Sequence, residues 1–285
     1  MVIHAFIDHQ QKQKIKGFYH YDIGNDLYQR MLGESMAYTC GYWKDAKNLE
    51  DAQYEKFDLV CKKIGLKSGQ KILDIGSGWG SFLKFAAQRY GAKGVGITVS
   101  KEQKKLADER CHDLPIETRL MDYRDIAGEK FDRVVSLGMF EHVGYKNYRT
   151  FMQIARSVLN DDGLFLLHTI GGNRSVKTMD RWMEKYIFPN SMLPSIQQIG
   201  RSIEGIFVME DWHNFSAYYE QTLMAWHENF VSHWDELKKN YDEKFFRMWE
   251  YYLLSCAGSF RARKNQLWQI VLSPKGVRGG YASIR

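Results

Sequence analysis

One stretch of the chain, residues 71–80, has the residue types and the spacing of a ligand-binding turn. It reads Lys-Ile-Leu-Asp-Ile-Gly-Ser-Gly-Trp-Gly. The apolar run at 72–75 predicts a buried strand, and residues 81–90 have the composition of a helix. Glycine has no Cβ, so three alternate glycines let the backbone turn tightly and let a ligand approach it closely. Asp74 is expected where the strand ends, facing a ligand at the carboxyl edge of a sheet.

The spacing of the glycines distinguishes two kinds of nucleotide-binding turn. The chain has GxGxG, with an acidic residue before it, where dinucleotide-binding turns have GxGxxG. This variant resembles the S-adenosylmethionine turn of class I methyltransferases. A tight turn without any ligand is the alternative at this point.

Apolar and helical stretches alternate along the chain and predict the fold. The candidate strands lie at 71–75, 93–98, 116–121, 131–137 and 163–170, followed by a final pair at 206–212 and 266–273. Strands separated by helices indicate an α/β protein with a Rossmann-like, doubly wound sheet, mostly parallel, and we expect one antiparallel strand in it. Residues 100–103, Ser-Lys-Glu-Gln, fit a capping box at the start of the helix after the second strand.

Length and composition favour one domain. The chain has 285 residues, 44% of them hydrophobic, which predicts a single catalytic domain over 1–285. No apolar run reaches the length of a membrane-spanning helix, and the polar N-terminus is unlike a signal peptide. Four cysteines form neither a paired motif nor a zinc motif, so we expect a cytoplasmic protein without a metal. The net charge of +6 fits attraction to nucleic acid or to a lipid surface.

Two further segments depart from a minimal βα pattern. Residues 1–47 are rich in aromatic and turn residues and are expected to form a helical cap over the ligand edge of the sheet. Residues 171–200 are an apolar insertion, and residues 218–234 carry an apolar stripe at helical spacing. Together they exceed what a small sheet needs, so they predict a lid and a hydrophobic pocket.

Several motifs resemble those of a known family. They read His-Tyr-Asp-Ile-Gly-Asn-Asp at 20–26, Met-Ala-Tyr-Thr-Cys-Gly-Tyr-Trp at 36–43 and Gly-Met-Phe-Glu-His-Val-Gly at 138–144, and residues 167–171 and 207–215 add two more. In this order they are similar to the cyclopropane-fatty-acyl-phospholipid synthase family, from about residue 17 to the C-terminus. Bacterial members usually carry an additional N-terminal domain, which we expect this chain to lack.

The resemblance implies a reaction. Family members transfer a methylene from S-adenosylmethionine to the cis double bond of an unsaturated fatty acyl chain in a membrane phospholipid. The alkene attacks the methyl group, a carbocation forms on the chain, and loss of a proton closes a cyclopropane ring. The resemblance further implies a homodimer and peripheral association with the inner face of the membrane. Basic residues at 12, 14, 16 and 261–264 are candidates for contact with the head groups.

The resemblance also assigns cofactor-binding residues. Asp74, Gly76 and Gly78 would surround the methionine part, with Tyr38 and Thr39 closing over it from the cap. The remaining positions are Thr98 and Gln103 near the ribose, and Asp122 and Tyr123 near the adenine.

A bound bicarbonate ion is implied as the base. Its ligands would be Cys40, Glu141, His168, the backbone of Ile170, and Tyr219. Because Glu141 cannot face an anion while both are charged, we expect a shared proton or a positively charged His168. Aromatic faces of Tyr19, Tyr38, Phe140, Tyr145 or Tyr219 are candidates for stabilising the carbocation.

Three other functions are weighed against this one. A related C-methyltransferase making a methyl- or methylene-branched acyl chain would share the same cation, and the sequence leaves it open. A nucleic-acid amino-methyltransferase would commonly have an Asp/Asn-Pro-Pro-aromatic tetrapeptide after the fourth strand, whereas residues 137–142 read Leu-Gly-Met-Phe-Glu-His. Nucleic acid is therefore not expected as a partner. A non-catalytic lipid carrier would not need Cys40, Glu141 and His168 together.

Overall fold

The computed structural model describes residues 24–285. The basic residues Lys12, Lys14 and Lys16, the aromatic residue Tyr19, and the rest of the cap before residue 24 lie outside this range. Within residues 24–285, no helix is both long and apolar enough to cross a bilayer.

A seven-stranded sheet forms the centre of the described chain, in the order β3-β2-β1-β4-β5-β7-β6. The strands are β1 (Lys71–Ile75), β2 (Lys93–Thr98), β3 (Ile116–Leu120), β4 (Phe131–Leu137), β5 (Leu159–Gly172), β6 (Val208–Asn214) and β7 (Asn265–Ser273). The first five pair in parallel, and β7 runs antiparallel to both of its neighbours. This confirms the predicted mostly parallel sheet with one antiparallel strand.

Helices pack on both faces of the sheet. They are α1 (Asn25–Leu32), α2 (Leu49–Lys63), α3 (Ser81–Tyr90), α4 (Lys101–Cys111), α5 (Tyr148–Val158), α6 (Arg181–Tyr186), α7 (Ile196–Ile203), α8 (Ala217–Ser232), α9 (Trp234–Leu237) and α10 (Glu243–Arg261). Alternate residues of a strand point to opposite faces, so Ile72 packs with α2 and α3 while Leu73 packs with α5. A further apolar cluster joins α1, α8 and α10.

The predicted strands agree with the structure to within a few residues, and β5 is the exception. It begins at Leu159 and not at 163, because Leu159 still pairs with Phe131 before an irregularity in the ladder. The predicted capping box at α4 is only half formed. The Ser100 hydroxyl accepts from the Gln103 backbone N–H at 3.2 Å, but the Gln103 side chain bonds Thr98 and not the Ser100 backbone.

Candidate active site

A cavity lies over the glycine turn, at the carboxyl edge of the parallel strands. Residues at the ends of β1 to β4 line it, namely Ile75, Ile97, Met121 and Leu137. The ligand edge of the sheet is where open α/β folds place their sites. The predicted cofactor residues that line the cavity are Tyr38, Thr39, Asp74, Gly76, Gly78, Thr98, Gln103 and Tyr123.

Asp122 is placed differently from the other predicted cofactor residues. It does not line the cavity, and its carboxylate accepts from Arg124 Nε at 2.8 Å and from Arg124 Nη2 at 2.7 Å. The same carboxylate caps a short 3₁₀ helix over 123–125 by accepting from the Arg124 backbone N–H. Tyr123, the next residue, is buried and turns its side chain to the cavity.

The glycine turn leaves room for a ligand at one position and for a neighbouring side chain at another. Gly76 has a φ of 90°, and a Cβ there would lie 2.6 Å from the Cβ of Met139. Gly78 has a φ of 54°, and a Cβ there would meet no atom within 4 Å. Because Gly78 also lines the cavity, this open space belongs to the ligand site.

Asp74 supplies a buried carboxyl group to the same cavity. Within residues 24–285, its Oδ1 atom has no hydrogen-bond partner. Burial raises the pKa of Asp74 to about 7, and the nearby Lys56 opposes that rise. A buried carboxylate without a partner is costly, and a cationic ligand would relieve that cost.

Glu141 lies in a 3₁₀ turn that directly follows β4, over residues 140–142. Its Oε1 atom accepts from the Ile170 backbone N–H at 2.6 Å, while its buried Oε2 atom has no partner within residues 24–285. Burial raises the pKa of Glu141 to about 7. One oxygen is thus fixed, and the other is available to a proton or a ligand.

His168 lies on β5, beside the end of β4, where its carbonyl accepts from the Gly138 N–H at 2.9 Å. Its Nδ1 atom lies 3.3 Å from Nε2 of Gln269, and its Nε2 atom is buried without a partner. Burial lowers the pKa of His168 well below its ordinary value, with Lys56 and Lys63 contributing. This direction favours an uncharged imidazole, so a shared proton on Glu141 stays the expected arrangement.

Cys40 packs against α8, and Tyr219 lies on that helix. The Cys40 Sγ atom lies 3.7 Å from Thr222 Oγ1 and 3.2 Å from the Gly41 carbonyl. Burial raises the pKa of the Cys40 thiol, so it is uncharged. Tyr219 is buried one turn before Thr222, with its ring 4.4 Å from that of Phe260.

The segment 38–40 connects the predicted cofactor residues to the predicted bicarbonate ligands. Tyr38 and Thr39 line the cavity over the glycine turn, and Cys40 packs against α8. Cys40, Tyr219 and Ile170 belong to one apolar cluster, and Ile170 is bonded to Glu141. None of the five predicted bicarbonate ligands lines the cavity itself.

Sequence reasoning missed several residues that hold this arrangement. Thr222 Oγ1 accepts from the Gly41 N–H at 3.0 Å and from Trp43 Nε1 at 2.9 Å. The Tyr252 hydroxyl of α10 lies 2.9 Å from that of Tyr38, and Lys56 lies buried in the cavity wall. For Lys56 the sequence did carry a signal, because a lysine interrupts the buried face of an amphipathic helix.

Two of the aromatic candidates serve elsewhere. The Phe140 ring stacks on Tyr148 at 4.3 Å within the core, and Tyr145 is exposed. Of the aromatic candidates within residues 24–285, Tyr38 lines the cavity. Its ring lies 5.1 Å from Trp226 and 6.4 Å from Phe188, which also lines the cavity.

Comparison with known proteins agrees with this geometry. The family model described as mycolic acid cyclopropane synthetase matches residues 8–270. Cyclopropane-fatty-acyl-phospholipid synthase of Escherichia coli K12 is 53% identical over 266 residues, which cover 93% of this chain and 69% of that protein. A probable fatty acid methyltransferase of Pseudomonas putida is 37% identical, covering 89% of this chain and 67% of that protein.

A solved structure supports the same relation. Mycolic acid cyclopropane synthase CmaA1, complexed with SAH and CTAB, superposes with a TM-score of 0.83 at 29% identity, covering 89% of this chain and 95% of that one. The residues present here fit such a cofactor, since the buried Asp74 oxygen lacks a partner and the space beside Gly78 is open. The chain therefore belongs to the cyclopropane-fatty-acyl-phospholipid synthase family and is an S-adenosylmethionine-dependent methyltransferase.

Proposed function

We propose that this enzyme transfers a methylene from S-adenosylmethionine to the cis double bond of an unsaturated phospholipid acyl chain and forms a cyclopropane ring. The observation that carries the proposal is the Glu141 carboxyl, buried with one oxygen held by Ile170 and the other unpaired. A reaction that ends by removing a proton in a dry site needs such a group or an ion held by it. The 53% identity to a cyclopropane-fatty-acyl-phospholipid synthase supports the substrate class.

S-adenosylmethionine supplies an electrophilic methyl group on a sulfonium. The chain's own residues then have three tasks. Asp74 and the glycine turn would bind the methionine part, Thr98 and Gln103 would lie at the ribose, and Tyr38 would present an aromatic face to positive charge. The Thr98 hydroxyl already donates to Gln103 Oε1 at 2.8 Å, which fixes the orientation of that amide.

We further propose that bicarbonate is the base and that it binds between Glu141, His168, Cys40, Tyr219 and the Ile170 backbone. Two buried atoms without partners, Glu141 Oε2 and His168 Nε2, support this site. With a pKa of about 7, Glu141 can carry the proton that a carboxyl needs to donate to an anion. A neutral His168 can donate through one ring nitrogen.

Two segments would close over the cofactor cavity. Residues 24–47 of the cap bring Met36, Ala37, Tyr38 and Thr39 to the cavity wall. In the insertion over 171–200, Phe188, Pro189 and Asn190 line the cavity, and the Phe188 ring lies 5.7 Å from that of Tyr252. These contacts support a cap and a lid within one catalytic domain.

The enzyme is proposed to work at a membrane surface, on which α10 would dock. Tyr251 and Leu254 are exposed on α10, with 57% and 40% of their surface open to solvent. The same face carries Lys244, Arg247 and Arg261, and positive charge at both ends of an apolar stripe suits anionic head groups. Arg261 contributes less than the sequence predicts, because its guanidinium pairs with Glu220 at 2.9 Å.

The alternative is a C-methyltransferase that leaves a methyl or methylene branch on the acyl chain. The 37% identity to a probable fatty acid methyltransferase supports it. Product mass does not separate a ring from a methylene branch, because both add the same atoms. The test is to incubate the enzyme with labelled S-adenosylmethionine and unsaturated phospholipid vesicles and to record a proton NMR spectrum of the lipid. High-field ring protons are expected, and vinylic or methyl-branch signals in their place would overturn cyclopropanation.

A further inference from the structure

Two lysines on one face of α2 are fully buried, and among the residues that the structure describes only one of them has an ionic partner. Lys63 lies 3.9 Å from an Asp211 oxygen, and its Nζ is 2.9 Å from His213 Nδ1. Lys56 lies seven residues earlier on the same helix, equally buried. Within residues 24–285 its ammonium makes no ion pair with a carboxylate. It donates instead to Thr39 Oγ1 at 2.7 Å and lies 4.2 Å from the centre of the Phe57 ring.

Such a lysine is costly to keep. A buried ammonium without an ionic partner loses its hydration, and burial lowers the pKa of Lys56 to about 7. Groups held in this way are concentrated at functional sites. Lys56 also lines the cavity over the glycine turn, and it therefore faces the ligand site as well as the core.

The hydrogen bond from Lys56 fixes the role of the Thr39 hydroxyl. Because Thr39 Oγ1 accepts from Lys56, its own proton must point away from the ammonium. Thr39 is held from the backbone side as well, since Gln53 Nε2 donates to its carbonyl at 2.9 Å. A fixed hydroxyl donor backed by an ammonium is an arrangement suited to a carboxylate.

The same cavity has the complementary group. Asp74 lines it with an oxygen that lacks a partner, and Asp74 and Lys56 form no ion pair with each other. Within the described residues, a lysine and an aspartate that line one cavity without forming an ion pair match the carboxylate and the ammonium of an α-amino acid. S-adenosylmethionine carries both groups on its methionine part.

We propose that Lys56 is a positioning residue for the α-carboxylate of S-adenosylmethionine, acting through the hydroxyl of Thr39. The proposal rests on the methyltransferase function and not on which lipid product forms. It assigns α2 a part in cofactor recognition.

The test compares two ligands that differ only in the carboxylate. Calorimetry without lipid measures the affinity for S-adenosylmethionine and for decarboxylated S-adenosylmethionine. The wild type is expected to prefer the carboxylated ligand. Lys56→Met should lower the affinity for S-adenosylmethionine by about 10- to 100-fold, as expected for a lost charge-assisted hydrogen bond, and leave the decarboxylated ligand unaffected. Thr39→Val should remove the same preference, and Thr39→Ser should retain it.

Lys63→Met is the matched control, because Lys63 has the same burial and the same helix but is paired with Asp211. It should lower thermal stability and preserve the ligand preference. If Lys56→Met lowers the affinity for both ligands equally, the proposal is overturned in favour of a structural role. A lower kcat with an unchanged ligand preference would overturn it as well. Should Lys56→Met not fold, Thr39→Val alone decides the question. Failure of the wild type to bind either ligand would instead contradict the methyltransferase function.

Discussion

The buried acids of this enzyme are placed where charge is costly, and their chemistry follows from that placement. Glu141 Oε1 is fixed by the Ile170 N–H, and no described group satisfies Oε2. A carboxyl in this position keeps its proton to a higher pH than an exposed one. It can therefore donate to an anion at neutral pH, which an ordinary glutamate cannot do.

At the residue scale, loss of this carboxyl should slow turnover without loosening the cofactor. Glu141→Gln and Cys40→Ala are each expected to lower kcat by about 10²-fold or more, the range for lost proton-transfer catalysis. Affinity for S-adenosylmethionine should stay at the wild-type value by calorimetry, because neither residue lines the cofactor cavity. Added bicarbonate should partly restore Cys40→Ala if the thiol only helps to hold the ion.

The matched control for Cys40 is Cys61→Ala. Cys61 is a second fully buried free cysteine, but it lies on α2 in the cluster beneath the sheet. Its substitution should keep kcat. Unchanged turnover in both Glu141→Gln and Cys40→Ala would place the base elsewhere.

Glu141 should also give the folded state a characteristic pH dependence. Its pKa rises from 4.5 to about 7 on folding, because burial disfavours the charged form. Below pH 4.5 the group is protonated in both states, and its contribution to stability is complete. As the pH rises to about 7 the unfolded chain loses the proton first, so stability falls by on the order of 3 kcal/mol.

The glutamine in Glu141→Gln cannot titrate, so the variant should not show this fall in stability as the pH rises. Thermal unfolding is measured at pH 5 and pH 8 in buffers free of bicarbonate. The quantity compared is the melting temperature of the variant minus that of the wild type. This difference should be several degrees larger at pH 8 than at pH 5. The same difference at both pH values would show that the carboxyl is not protonated on folding.

At the element scale, two glycines in the turn between β1 and α3 have different structural roles. Gly76 makes room for Met139, and Gly78 leaves open space in the cavity wall. The first requirement concerns packing between β1 and the end of β4. The second concerns the ligand alone, so the two positions should respond differently to substitution.

Gly78→Val should abolish detectable binding of S-adenosylmethionine while the protein still folds. The branched side chain would project into the open space that lines the cavity. Part of any effect would be backbone strain, since a valine at a φ of 54° is disfavoured. Gly128→Val controls for the strain, because Gly128 has a φ of 74°, an equally open Cβ position and no place in the cavity wall. Calorimetry on both variants decides; wild-type affinity in Gly78→Val would contradict the assignment of the turn.

At the scale of the whole molecule, the proposed reaction requires the enzyme to reach an acyl chain that already lies in hydrocarbon. Transfer into an apolar pocket then gains little from the hydrophobic effect, because no water contact is removed. Attraction of basic residues to anionic head groups supplies about 1 kcal/mol per Lys or Arg near the surface. A few such contacts give weak and reversible binding.

Activity should therefore rise with the anionic fraction of the vesicles and fall as salt screens the contacts. In vesicle co-sedimentation, Tyr251→Ala and Leu254→Ala should each weaken binding several-fold, because they remove exposed apolar surface from α10. Tyr54→Ala is the control, since Tyr54 is 43% exposed but lies on α2. Equal activity on neutral and anionic vesicles at every salt concentration would rule out this mode of docking.

Local pattern was sufficient for the sheet and for the turn. The β1 strand, the α3 helix and the alternate glycines at 76 and 78 are set by short-range periodicity and by backbone sterics, so sequence reasoning placed them within a residue. The motifs at 36–43 and 138–144 likewise predicted candidate site residues, among them Tyr38, Cys40 and Glu141. Those signals are local, so they can be read from the sequence without knowing which residues pack around each side chain.

Tertiary structure alone decided the partners and the protonation states. Helix α10 was not predicted, and it brings Tyr252 to within 2.9 Å of Tyr38, a contact 214 residues apart in sequence. The lowered pKa of His168, the pairing of Asp122 with Arg124, and the burial of Lys56 all depend on which groups pack around each side chain. Burial and charge pairing are properties of the assembled environment, so a sequence can name an ionisable residue, whereas only the fold determines its charge and its partner.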